Sequence, residues 1–160
     1  MSDPITLYEL RRDGFTISTD PSRLDRDAVY RYLSEESYWS AGIARAIFEC
    51  SIAGALTFGL YDEEGAQIGF ARVVSDGATL AWLSDVYVLA AYRGRGLGRW
   101  LITSVMAHPH LQGLWRWMLS TRDAHALYAG YGFAAVEPEH LMTRFDPGAH
   151  KRSPLPPREG

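Results

Sequence analysis

The segment AAYRGRGLGRW, residues 90–100, constrains this chain more than any other. It sets Gly94, Gly96 and Gly98 at alternate positions between a β-like run, LSDVYVL, and a run whose apolar residues recur every three to four places. Repeated glycine strips the backbone of side chains and admits left-handed dihedrals, so the segment reads as a strand-to-helix turn with a bared main chain. Beyond it Leu97, Leu101, Ile102, Val105 and Met106 share one helical face, and that helix should stop before Pro109. Amide N–H groups at such a turn sit at the positive end of the helix dipole, where phosphate oxygens bind. Arg93, Arg95 and Arg99 add charge at the rim. The alternative is a tight turn whose arginines are merely solvated.

Spacing excludes two familiar phosphate loops. A Walker loop needs Gly-x-x-x-x-Gly-Lys-Ser/Thr, and no lysine lies in this stretch. A dinucleotide fingerprint needs Gly-x-Gly-x-x-Gly, but counted from Gly94 the third glycine falls one place early, and Arg99 stands where it should be. A formal net charge of -3 argues against a dedicated nucleic-acid binder, which needs a basic footprint. The 47% hydrophobic content, with 22% charged residues, is that of a folded domain and not of a disordered chain.

At 160 residues the chain reads as one domain over residues 1–146, followed by a mobile tail over 147–160 in which proline and charge crowd together. Cys50 stands alone, so no intramolecular disulfide forms. MSDPITLYEL lacks the basic-then-apolar pattern of a secretory leader, and no apolar run is long enough to cross a bilayer. The expected place is the cytoplasm, with no membrane partner.

Periodicity and turn chemistry order the remaining elements. A short β-run over residues 15–19 leads to a helix capped by Thr19 or Asp20, carrying Leu24, Val29 and Leu33; a second helix runs through IARAIFECSI. Residues 55–89 form a three-strand meander punctuated by Asp-Glu-Glu-Gly and Ser-Asp-Gly. After the glycine turn and its helix come a strand LWRWMLS, a short helix from Ala124 capped by Asp123, a left-handed stop at Gly132 and a final strand LMTRF. The fold class is therefore α/β, a mixed and mostly antiparallel sheet with one parallel pair.

Two motifs carry a family resemblance. Arg93, Gly96 and Gly98 match Arg-x-x-Gly-x-Gly between a strand and an amphipathic helix, and AHALYAGYGF, residues 124–133, matches Ala-x-x-Leu-Tyr followed after three residues by Gly-Phe. In order and placement they resemble the GNAT superfamily of N-acetyltransferases, and the similarity covers roughly residues 55–145. The resemblance implies a sheet whose parallel strands splay at an acetyl-CoA site, with helices on both faces. It implies that the main chain of Arg93, Gly94, Arg95, Gly96, Leu97 and Gly98 binds the pyrophosphate of acetyl-CoA, with Arg99 adding charge. Val86, Tyr87 and Val88 would pair with the pantetheine arm, and an amide there would face the thioester oxygen; packing of Val86 and Val88 in the core is compatible with this. Tyr128 matches the general acid for the departing thiolate, with Tyr131 its rival and ring packing the alternative.

Asp85 stands where relatives carry a glutamate base; a structural hydrogen-bonding role is the other reading. Thr121 stands in place of an asparagine that touches pantetheine. Tyr38 and Trp39 of SYWSAG, with Tyr32 nearby, would line the acceptor groove or simply pack. The five histidines show no metal-ligand spacing, and no metal is expected. Trp115 and Trp117 share one strand face, as core or interface. The implied activity is transfer of acetyl to a primary amine, on a small molecule or a peptide, by direct attack. The alternative is a module that binds acetyl-CoA without turnover. Homodimerisation, common in the family, is left open.

Overall fold

The computed structural model describes residues 7–152. The segment read as lacking a leader falls partly outside this range, and the tail beyond residue 152 wholly so. Six strands form one sheet in the order β1-β2-β3-β4-β5-β6. They are β1 (Glu9–Arg12), β2 (Phe15–Ser18), β3 (Leu56–Tyr61), β4 (Gln67–Ser75), β5 (Leu80–Val88) and β6 (Arg116–Met118). The first five are antiparallel neighbours, and β5 and β6 run parallel. Helices α1 (Arg26–Arg31) and α2 (Arg45–Ala53) cover one face, and α3 (Leu97–Met106) and α4 (His125–Ala129) the other. The mixed sheet with helices on both faces is as expected.

Several local expectations change. β1 was not anticipated; the signal was Asp13-Gly14, whose positive φ angles of 50° and 83° form the two-residue turn of a hairpin with β2. LMTRF is not a strand. Leu141, Met142 and Phe145 are exposed, and β6 offers only three residues of ladder, so β-prone residues there find no partner edge. Trp115 falls before β6 and points to solvent, whereas Trp117 packs partly on the core, so the pair does not share a role.

Caps also move. Asp20 caps a short 3₁₀ turn by accepting from the Ser22 amide, and Asp25 caps α1 by accepting from the Ala28 amide at 3.0 Å. One π-helical turn, Tyr32–Glu36, then extends α1. Thr121, not Asp123, serves the start of α4, its Oγ1 accepting from the Ala124 amide at 3.0 Å. Gly132 is left-handed as expected, and α3 ends before Pro109. Of the expected tail, residues 149–151 form a 3₁₀ turn, and the His150 carbonyl accepts from the Ala44 amide at 2.8 Å. No helix among the described residues is long and apolar enough to cross a membrane.

Two cores sandwich the sheet. Phe58, Leu60, Ile68, Val73 and Leu83 meet Leu97, Leu101, Ile102 and Val105 of α3 on one face; Phe70 and Tyr87 meet Val29, Leu33, Phe48 and Ile52 on the other. Side chains alternate along a strand, so an irregularity is needed for Leu83 and Val86 to share a face. A β-bulge supplies it: Phe70 pairs with Tyr87 and Arg72 with Ser84, leaving Asp85 and Val86 opposite Ala71 alone.

Two buried groups carry testable consequences. The Tyr61 ring lies over Gly59, and a Cβ at Gly59 would collide with the Tyr61 hydroxyl, itself buried without a hydrogen-bond partner among the described residues and its pKa pushed up to about 12 by burial. Gly59→Ala should therefore cost about 1–3 kcal/mol, read as a fall in the urea midpoint. His108 is fully buried between Tyr8 and Phe58; its Nδ1 accepts from the His110 amide, so the neutral ring carries its proton on Nε2, which has no partner among the described residues. Burial, then the neighbouring His110, lowers its pKa below the ordinary 6.5. The unfolded chain then binds the proton more readily than the folded one. Stability should be fully present above the unfolded pKa and decline as pH falls through and below it. Thermal melts between pH 8 and pH 5 check this, and His108→Leu should flatten the slope.

Candidate active site

The parallel ladder between β5 and β6 is short. It pairs Leu80 with Arg116, Ala81 with Trp117 and Trp82 with Met118, and there it stops. From Leu83 onward the open edge of β5 faces a cleft, and a cavity of about 490 Å³ occupies it. Its walls include Leu83, Ser84, Asp85 and Val86 of β5, Leu119, Ser120 and Thr121 after β6, Ala124 and Tyr128 of α4, and Tyr38, Trp39 and Ser40 of the α1–α2 connection. Six of the expected residues therefore share one cavity: Tyr38, Trp39, Asp85, Val86, Thr121 and Tyr128. Tyr32 is not among the residues lining it. It is buried beneath, its ring stacked on Tyr87 at 3.7 Å between centroids, because the π-helical turn directs it onto the sheet.

Asp85 occupies the bulge with φ of 55°, a left-handed conformation that residues other than glycine seldom adopt. Its carboxylate is fully engaged. Trp39 Nε1–H donates to Oδ1 at 2.8 Å, and Arg72 Nε–H donates to Oδ2 at 2.7 Å. Arg72 also reaches Ser84 Oγ at 3.3 Å. Arg72 escaped the sequence reading, although a lone arginine in the apolar run GFARVV, one strand away from a lone aspartate, signalled such a pair.

Tyr128 is nearly buried, and its pKa is raised, first by desolvation and then by the nearby Tyr38. At neutral pH its hydroxyl keeps its proton, as an acid must. Tyr131 lies one helical turn on but serves elsewhere: its hydroxyl donates to the Arg99 carbonyl at 2.9 Å and bonds Thr103 Oγ1 at 2.9 Å, tying the end of α4 to α3.

At one end of β5 lies the glycine turn. Gly94 and Gly96 adopt φ of 77° and 76°, and a Cβ at Gly94 would meet nothing within 4 Å. The amides of residues 94–99 find no acceptor among the described residues, whereas the Arg93 amide donates to the Ala90 carbonyl at 3.3 Å. The free run thus begins one residue later than the motif. Six amides without partners, beside open space at the N-terminus of a ten-residue helix, suit the oxygens of a diphosphate. The Arg93 side chain braces the turn from below, donating from Nε to the Val88 carbonyl at 2.9 Å and from Nη2 to the Tyr32 hydroxyl at 3.3 Å. Arg95 and Arg99 are exposed at the rim. Arg12 of β1, also unanticipated, stacks over Trp100 at 4.7 Å on the same side. No group of three or more metal-ligating side chains occurs among the described residues.

Comparison with known proteins gives this geometry a family. A model of the acetyltransferase (GNAT) domain matches residues 53–135, just over half of the chain. A protein of Gibberella zeae, named as a candidate acetyltransferase, is 33% identical in a match covering 63% of this chain and 70% of that one. The crystal structure of a GNAT-family protein from Xanthomonas campestris pv. campestris superposes with a TM-score of 0.82 at 46% identity, covering 86% of this chain and 97% of that one. A GNAT acetyltransferase from Elizabethkingia anophelis, crystallised with acetyl-CoA bound, shares the fold with a TM-score of 0.57 at 15% identity, over 79% of this chain and 80% of that one. The chain belongs to the GNAT family of acetyltransferases.

Proposed function

We propose that the chain transfers acetyl from acetyl-CoA to a primary amine by direct attack within a ternary complex. The observation that carries this reading is the joining, along one edge of β5, of unbonded turn amides at one end and a protonated tyrosine in the cleft. The main chain of residues 94–99 would hold the diphosphate, with Arg95 and Arg99 adding charge. The edge of β5 that β6 leaves uncovered, at Val86, Tyr87 and Val88, would receive the pantetheine amides, apart from the Val88 carbonyl that accepts from Arg93, and Thr121 would touch the same arm. An amide on that edge would stabilise the oxyanion that develops as the amine attacks.

Tyr128 would donate its proton to the departing thiolate. Asp85 we assign to positioning: with both oxygens bonded, its carboxylate fixes the Trp39 ring and the bulge. Trp39 and Tyr38 would line the acceptor side. The unpaired Cys50 accords with a cytoplasmic setting.

Two substitutions test the parts separately. Tyr128→Phe should lower kcat by about 10²–10⁴-fold, the usual contribution of a general acid, while the Kd for acetyl-CoA by calorimetry stays within about threefold. Gly96→Glu should abolish acetyl-CoA binding, because it sets a like charge on the turn and forces a side chain into a left-handed position. A folded Gly96→Glu protein with normal binding would overturn the turn assignment. Binding by the unaltered protein with no thiol release for any amine would point to the non-catalytic module.

A further inference from the structure

Resting on the transfer reading above, we infer that the acceptor is a small primary amine carried on an aromatic body, an arylalkylamine. Tyr38, Trp39, Trp82 and Phe145 line the same cavity that Tyr128 faces. Trp39 stands edge-to-face with Tyr38 at 5.1 Å, and its indole N–H is tethered to Asp85, so this wall is rigid before any ligand arrives. Phe145 is 75% and Tyr38 48% exposed, so apolar surface that folding left uncovered is gathered at the mouth of the cavity. A flat apolar body would bury it.

Charge argues the same way. The carboxylate inside the cavity, Asp85, is consumed by Arg72 and Trp39, and Arg72 is in turn neutralised by it. Asp123 is well exposed at the rim, with Arg122 Nη2 at 3.9 Å. A polyamine, whose additional ammonium groups need carboxylates of their own, finds beyond this pair only the solvated Asp123 among the described lining residues.

Shape disfavours a polypeptide. The Arg122 amide donates to the Tyr38 hydroxyl at 3.2 Å, and the Arg122 guanidinium stacks on the Tyr38 ring at 3.9 Å, joining the two walls of the cleft. The bond from the Ala44 amide to the His150 carbonyl holds the segment carrying Phe145 and His150 against the same opening. An extended chain would have to break these contacts, whereas a small amine fits within them.

The test measures initial rates at saturating acetyl-CoA with 2-phenylethylamine, n-butylamine, spermidine and trialanine. The kcat/KM for 2-phenylethylamine should exceed each of the others by about tenfold or more, the scale on which apolar pockets discriminate. Phe145→Ala, which removes an exposed side chain and spares the core, should raise the KM for 2-phenylethylamine about fivefold and leave kcat and the KM for n-butylamine unchanged. Preference for spermidine or trialanine, parity between the two monoamines, or an unmoved KM in Phe145→Ala would overturn the inference while leaving acetyl transfer intact. Transfer to none of the four, with acetyl-CoA bound, would overturn this inference; the transfer reading itself falls only when no amine of a wider panel releases thiol.

Discussion

A buried carboxylate in a left-handed bend of a strand underlies the rest of the site. Asp85 carries two costs: a backbone conformation worth about 1–2 kcal/mol for an L-residue, and the removal of a charge from water. Arg72 on the neighbouring strand and the Trp39 indole offset both, because they satisfy both oxygens at short distance. The bend that results reverses which residues of β5 face which core. Without it Val86 and Val88 would turn toward α1 and α2, and the strand would arrive at the glycine turn out of phase.

The bulge works together with the early end of the β5–β6 ladder. Parallel strands that part after Trp82 and Met118 leave an edge with hydrogen-bonding capacity that no other strand uses. Tyr32, stacked on Tyr87 and bonded by Arg93, links the first helical pair to the start of the glycine turn, so the wall of the cleft beside α1 and the glycine turn rest on one packed unit. Tyr128 and Tyr131 show how finely position decides role. Three residues apart, one hydroxyl enters the cavity while the other is consumed in fastening α4 to α3.

The two motifs were legible because each is a local requirement. Left-handed glycines before an amphipathic run bare the amides wherever that run packs, and the pattern from Ala124 to Phe133 needs only one helix and its stop. Arg72, Trp82, Phe145 and Arg12 were not legible, since each matters through a neighbour far away in sequence. The missing strand at residues 141–145 has the same origin: β-propensity states a preference, and a ladder also requires an edge.

The sequence by itself determined the order of elements from β2 to α4, the glycine turn and the mixed sheet, which follow from periodicity and turn residues over short spans, whereas Tyr128 stood out only through the resemblance of its motif. Only the tertiary structure decided that Asp85 is spent on Arg72 and Trp39, that Tyr32 is buried while Tyr38 reaches the cavity, and that aromatic residues from four separate segments line it. The reason is physical: hydrogen bonds, stacking and exclusion of water act between groups within a few ångströms, and which groups come that close is settled by packing both faces of one sheet at once.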